Sequence, residues 1–278
     1  MSNKEKITSY FNEIFDDYDN LYDETDSLDV YPSGLVRLQR TMELVARHKG
    51  GGQALDLGCG TGPVAVALAK RGFDVYGVDI AENMVERARE RAAQALGDAA
   101  SKTRFEAGDV ESLDLEPASL DVVVALGLLE YLPDDRPLLK RIAPALKPDG
   151  VFVVAFRNRL FNLFSLNDLT KQEVADGTYL DLLEQYLAER DKGLERSSLD
   201  SYVKEMTKLD STAAGSGPEP GDPDRFRFQH PVKLRQHTPK EVHALAEGVG
   251  LQVKDLTYFP CITRLLFEHD RSCKGTWQ

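Results

Sequence analysis

The stretch ALDLGCGTG, residues 54–62, constrains the fold more than any other. An apolar run ends at Asp56 and Leu57, and the chain then turns through Gly58, Gly60 and Gly62. A glycine-rich turn between a strand and a helix lets the backbone approach a ligand closely and points free helix N-terminal amides at it. A phosphate-binding loop would close on a Lys-Ser/Thr pair, and none follows here, where the chain continues Gly62-Pro63-Val64-Ala65. A dinucleotide fingerprint would use Gly58 and Gly60 but needs glycine at position 63, which is Pro63. What stands in the chain is acid-x-Gly-x-Gly-x-Gly, beginning at Asp56.

The chain around this loop alternates between two periodicities. QALDLG (53–58) reads as a buried strand, and GPVAVALAKRG as a helix closed by Gly72. DVYGVDI (74–80) reads as a second strand and AENMVERARERAAQAL (81–96) as an amphipathic helix. TRFEAGD, LDVVVALG and VFVVAF read as further strands, with a helix over DDRPLLKRIAPALKPDG (134–150) that ends at Pro148 and Gly150. Near-continuous Val, Leu and Ala in strands separated by helices predict a parallel sheet covered on both faces. Two segments leave that rhythm. The first 48 residues read as two helices broken near YPSG (31–34). Residues 159–237 form a partly helical insertion whose stretch 211–224, STAAGSGPEPGDPD, has the composition of a mobile loop. Beyond it, Thr238, Pro239 and Glu241 predict a capped helix, followed by strands over LQVKDLTYF and CITRLLFEH.

Bulk properties narrow the partners. With 46 acidic against 34 basic residues and a net charge of −12, a nucleic-acid backbone is not expected as the main partner. The longest apolar run, VVVALGLL (122–129), is too short to cross a bilayer. The N-terminus lacks the apolar stretch of a signal peptide. The three cysteines, Cys59, Cys261 and Cys273, have no metal-like spacing. A soluble cytoplasmic chain without a bound metal is therefore expected.

Five motifs in order carry a family resemblance. LDLGCGTG resembles the first motif of the class I S-adenosylmethionine-dependent methyltransferases. VYGVDI resembles their second-strand motif, FEAGDVESL the third, and LDVVVALGLLEYLPD and LKPDGVFVVAF the fourth and fifth. TPKEVHALAEGVGLQV is similar to their closing helix and strand. The resemblance implies an α/β, Rossmann-like, doubly wound and mostly parallel sheet with helices on both faces. Added to it are N-terminal helices (1–48, a lid), a donor-binding core (49–158), the insertion over the acceptor (159–237) and a closing helix with strands (238–278). It implies S-adenosylmethionine as methyl donor, leaving as S-adenosylhomocysteine, and a small-molecule acceptor methylated on oxygen or nitrogen. A protein or RNA acceptor, a protein that binds the donor without transferring its methyl, and an NAD-dependent oxidoreductase are the rival readings.

The same resemblance assigns residues. Asp79 takes the ribose hydroxyls, its rival role being the N-cap of the following helix. Asp109 meets the adenine amino group or serves as a solvated turn acid. Asp56 organises the loop or contacts the donor amine. Gly58, Gly60 and Gly62 form the cradle, with Cys59 as a small loop residue rather than a nucleophile. Ile80, Val110 and Leu126 pack on the adenosine, and Tyr22 in the N-terminal lid closes over the donor, as Tyr18 also would. Many family members carry a histidine base in a Leu-Glu-His run after the fourth strand; here the run is LLEYL, and Tyr131 stands at that position. His230 and His237, at the end of the insertion, are the other candidate bases. Arg157 and Arg159 follow the fifth strand, at the edge where open α/β sheets bind ligands, and are candidates to clamp an acidic acceptor.

Overall fold

The computed structural model describes residues 1–19, 33–164, 168–191, 232–259 and 262–269. The stretch 211–224, together with Tyr22 and His230, lies outside them. A seven-stranded sheet organises the rest, in the order β3-β2-β1-β4-β5-β7-β6. Its strands are β1 (Gly52–Leu57), β2 (Phe73–Asp79), β3 (Thr103–Ala107), β4 (Leu120–Leu126), β5 (Leu146–Arg157), β6 (Leu251–Phe259) and β7 (Ile262–His269). The first five are mutually parallel. β7 runs antiparallel between β5 and β6.

Parallel pairing requires crossovers, and helices lie on both faces of the sheet. α3 (Pro63–Ala69) and α4 (Glu82–Leu96) cover one face together with α2 (Ser33–His48). α5 (Arg136–Ala145) and α8 (Pro239–Glu247) cover the other. Strand side chains alternate between these layers. Ala54, Val75, Val122, Val124 and Val153 join the α2/α3/α4 layer, while Leu55, Leu57, Val123, Ala125, Phe152 and Val154 join the α5/α8 layer. Because both faces are buried, the strands read as unbroken apolar runs instead of alternating with polar residues. α1 (Asn3–Asp19) lies against α4, where Asn83 donates to Asn12 through its backbone amide at 3.0 Å and its side-chain amide at 2.9 Å. α6 (Asp168–Ala175) and α7 (Tyr179–Asp191) form a satellite around Leu160, Leu163 and Leu182. Among the described residues no helix is long and apolar enough to cross a membrane.

Several local expectations are met. α8 starts with Thr238 as N-cap, Pro239 in its first turn, and the reciprocal bonds of a capping box with Glu241. Gly72, with φ +90°, ends the α3 segment and donates its amide to Ala69 O at 3.0 Å. One boundary differs. The helix expected to run to Pro148 ends at Ala145, and β5 begins at Leu146. Pro144 already sits in the last turn, and Ser119 and Ala118 donate their amides to the carbonyls of Ala145 and Pro144, both at 2.9 Å. Pro148 also disfavours helical backbone at Lys147. The early strand start costs register: Leu120 pairs with Leu146, but Val122 pairs with Val151.

Candidate active site

The strand order sets the site. The glycine loop after β1 stands mid-sheet, the ends of β2 and β3 lie to one side and those of β4 and β5 to the other, all at the carboxyl edge where open α/β sheets bind ligands. A cavity of about 380 Å³ opens there, within the roughly 300–1,000 Å³ typical of small-molecule sites. Gly58, Gly60, Asp79, Ile80, Met84, Asp109 and Val110 line its β2/β3 side. Leu128, Glu130, Tyr131, Leu132 and Arg235 line its β4/β5 side. Ile7 and Phe11 of α1 also line it.

The glycine loop needs its glycines. Gly58, Gly60 and Gly62 have φ of +67°, +52° and +83°, in the left-handed region that costs other residues about 1–2 kcal/mol. At Gly62 a Cβ would also lie 2.9 Å from Ala88 Cβ, so the third glycine lets α4 pack beneath the loop. The sequence signal for this was the acid-x-Gly-x-Gly-x-Gly spacing itself.

Asp79 holds the loop from the end of β2. Its Oδ2 accepts from Gly60 N at 2.9 Å and its Oδ1 from Ala81 N at 3.0 Å. The N-cap of α4 is Ala81, not Asp79. An ionised carboxylate has about four lone-pair positions, so two hydroxyl donors still find acceptors on Asp79 from the cavity side. Asp56 is buried, with 2% exposure. One of its oxygens takes the Ala65 amide, and Oδ2 has no hydrogen-bond partner among the described residues. Burial, then the nearby Asp79 charge, push its carboxyl up to about 7. Cys59 is buried under the loop, and burial pushes its thiol up, leaving it the inert thiol expected of a packed residue.

Asp109 caps the 3₁₀ turn Val110–Ser112, accepting from Glu111 N at 3.0 Å. Lys4 of α1 reaches across and contacts Asp109 at 2.5 Å and Glu111 at 2.7 Å. Burial raises the Asp109 carboxyl, but Lys4 and the Glu111 amide outweigh it and hold the group below the usual carboxylate range. Ile80, Val110 and Leu126 line the cavity as apolar surface.

On the other side Tyr131 lines the cavity and meets Phe11 edge-on, with ring centroids 5.3 Å apart. Burial, then Glu130, push its phenol far above the ordinary tyrosine range. His237 does not line the cavity. Its Nε2 sits 2.7 Å from Asp135 Oδ2, and Arg235 makes bidentate contact with the same carboxylate at 2.8 and 2.7 Å. His237 also pairs through its backbone with the end of β5: its amide donates to Arg157 O, and its carbonyl accepts from Arg159 N, both at 2.9 Å. The residue thus anchors the returning chain. Arg159 is turned to the satellite cluster, where Nε and Nη2 contact the Glu173 carboxylate at 2.9 and 2.8 Å. Burial raises Glu173, but Arg159, Thr178 and Asn162 together bring its carboxyl down to about 2. Arg157 stays beside the cavity, with Nε 3.7 Å from Glu130 Oε1.

Sequence reasoning missed Glu130, Lys4 and Arg235. Glu130 stood inside the quoted LLEYL run and Lys4 in the first turn of α1, but neither has a local pattern that separates it from an ordinary surface charge. Among the described residues no group of three or more His, Cys, Asp or Glu side chains is arranged to hold a metal ion.

Comparison with known proteins adds a family to this geometry. Residues 54–150 match the family described as "Methyltransferase domain". The ubiquinone biosynthesis O-methyltransferase of Idiomarina loihiensis is 39% identical over 110 residues, which cover 39% of this chain and 44% of that protein. The protein of the same name from Coxiella burnetii is 30% identical over 135 residues, 49% of this chain and 54% of its own length. The chain thus spans about half the length of the curated relatives it matches. A magnesium protoporphyrin IX methyltransferase of Synechocystis, solved with bound S-adenosylmethionine, aligns over 97% of this chain and 98% of its own, with a TM-score of 0.61 at 17% identity. That likeness is one of fold. The matched methyltransferase domain thus runs from within β1 into β5 and contains the glycine loop, Asp79 and Asp109 of the cavity.

Proposed function

We propose that the chain transfers a methyl group from S-adenosylmethionine to a hydroxyl oxygen of a small molecule. One observation carries the reading: the glycine loop and the Asp79 carboxylate share a single cavity with the apolar side chains Ile80, Met84 and Val110 and, across it, with Glu130 and Tyr131. The donor fits the first side. Asp79 offers acceptors for two ribose hydroxyls, charge-assisted bonds worth about 1.5–3 kcal/mol each. Ile80, Met84 and Val110 offer an apolar surface to a purine, and Asp109 an acceptor for its amino group. Gly58 and Gly60 keep that wall free of side chains, and the buried carboxylate of Asp56 favours a cationic amino-acid end. When bound, the donor supplies an electrophilic methyl on a sulfonium.

The β4/β5 side would take the acceptor. Tyr131 and Leu132 form part of its wall, and α1 covers the cavity through Ile7 and Phe11. Such a cover excludes water and holds the acceptor oxygen in line, and positioning of this kind is worth about 7–11 kcal/mol in favourable intramolecular reactions. Oxygen is favoured over nitrogen as acceptor atom because the matched relatives are named O-methyltransferases. The excess of acidic residues disfavours nucleic acid as the acceptor, and scarce cysteines fit a cytoplasmic site of action.

Calorimetric titration with S-adenosylmethionine, S-adenosylhomocysteine and NAD tests the donor site. Binding of both adenosyl ligands but not NAD is expected, weakened at least tenfold in Asp79→Ala. A preference for NAD, or no adenosyl binding, overturns the reading.

A further inference from the structure

We propose that Glu130 is the general base of this methyl transfer, taking the proton of the acceptor hydroxyl at Oε2. The proposal rests on the donor reading above. Glu130 lies in the 3₁₀ turn Leu129–Tyr131 that follows β4, and it lines the cavity on the side away from Asp79 and Asp109. Its side chain is buried, with 7% exposure, and Oε2 has no hydrogen-bond partner among the described residues. A buried carboxylate oxygen without a donor is costly, and such groups in native proteins call for a reason. A hydroxyl brought into the cavity supplies the missing donor.

The surroundings suit a base. Arg157, from the end of β5, stands with Nε 3.7 Å from Oε1. Arg37 comes from α2: a Cβ on Gly127 would lie 3.2 Å from Arg37 Nη1 and 3.7 Å from Glu130 Oε1, so both groups converge on the end of β4. The charged and titratable groups facing Glu130 are these two arginines, His237 from the returning chain, and Tyr131 beside it. Burial raises the Glu130 carboxyl, while Arg157, Arg37 and His237 pull in the opposite direction, and burial wins. A carboxylate raised in this way is a better proton acceptor than an exposed one. The neighbouring Tyr131 phenol, pushed far up, keeps its own proton and is left the part of a hydrogen-bond donor. Thus Tyr131 is held as a proton donor, and the residue before it is placed to accept the proton.

The step balances within the site. The acceptor oxygen attacks the donor's methyl carbon; the carbon–oxygen bond forms as the carbon–sulfur bond breaks, and the sulfur keeps that electron pair as a neutral thioether. The hydroxyl proton passes to Glu130 Oε2 and leaves to water when the products depart. His237, locked to Asp135 on the far side of Arg235, takes no part in the transfer.

The test compares wild type, Glu130→Gln and Glu130→Asp, first by calorimetry with S-adenosylhomocysteine and then by transfer of labelled methyl to 3,4-dihydroxybenzoate, catechol and related phenols. Expected is unchanged S-adenosylhomocysteine affinity in all three, showing that the variants fold. In Glu130→Gln, kcat should fall by about 10²–10⁴, with KM for the acceptor changed only a few-fold and the acidic limb of the kcat–pH profile lost. Glu130→Asp should recover part of the rate and keep that limb. Should Glu130→Gln not fold, infrared difference spectra of the wild type loaded with S-adenosylhomocysteine decide: a protonated-carboxyl band must appear as pH falls along the same limb, and must be present in Glu130→Asp. Equal kcat in wild type and Glu130→Gln, an unchanged limb, or donor binding with no transfer to any hydroxyl each overturns the role of Glu130. Absence of donor binding in the wild type overturns the donor reading instead.

Discussion

Two carboxylates show how one residue type is set to two tasks by its surroundings. Asp79 accepts from backbone amides of both flanking segments, which offset only part of the burial that raises its carboxyl, and its remaining lone pairs stay available to a ligand. Asp56 stands deeper, with one oxygen unpartnered, and its carboxyl is pushed up to about 7. An unfolded Asp titrates near 3.9, so the folded state binds this proton more tightly. Stability from this group is full below about pH 4 and is lost as pH rises toward 7. Asp56→Asn should therefore lose that slope. Between pH 5 and 8 the difference in unfolding free energy between variant and wild type should grow in the variant's favour by a few kcal/mol, at about 1.4 kcal/mol per pH unit, in urea titrations at each pH. Donor binding should show the complementary cost, because the variant no longer offers a negative charge to a cationic ligand. A pH-independent difference in stability would mean that Asp56 is ionised throughout the range.

At the scale of elements, α1 is the piece whose role was least legible. Its helical periodicity is plain in the sequence, but that it closes the cavity follows from contacts made 105 residues apart, between Lys4 and Asp109. The Lys4 side chain is 47% exposed, and such pairs contribute only about 0–1 kcal/mol. The pair therefore orients α1 and scarcely affects the stability of the whole. Lys4→Met should leave the global unfolding free energy within about 1 kcal/mol, while amides of residues 3–19 exchange with solvent faster, as read by mass spectrometry. Equal exchange in both proteins would show that Asn12, Ile7 and Phe11 hold α1 unaided. The boundary of α5 teaches the same lesson: the apolar stripe and Gly150 suggested a longer helix, and hydrogen bonds from Ala118 and Ser119, distant in the chain, ended it early.

At the scale of the whole molecule, the sheet crosses the insertion. β7 pairs with β5 over seven positions from Val151↔Glu268 to Arg157↔Ile262, so strands after residue 250 close the edge of a sheet built before residue 158. Removing 251–278 would expose that edge and thin the α8 layer around Phe152 and Phe156. The truncated chain should lose its cooperative thermal transition and aggregate, while the full chain melts in one step. Retained cooperative melting would show that β1 to β5 and their helices suffice.

What the sequence determined alone is what local spacing encodes. The glycine loop needs positive φ at fixed positions, the parallel strands need unbroken apolar runs, and the α8 capping box needs Thr and Glu three residues apart. Each is a relation among near neighbours, so it was readable without coordinates, as was the position of Asp79 at the end of a strand. Tertiary structure decided the chemistry beyond the donor. Asp135 meets Arg235 across 100 residues and draws in His237, keeping out of the cavity a histidine whose place at the end of the insertion made it a candidate base. Arg159 is claimed by Glu173, and Glu130 is left buried between arginines from α2 and β5. Charged side chains carry no periodicity of their own, and their protonation depends on burial and on partners that only the folded chain brings within a few ångströms.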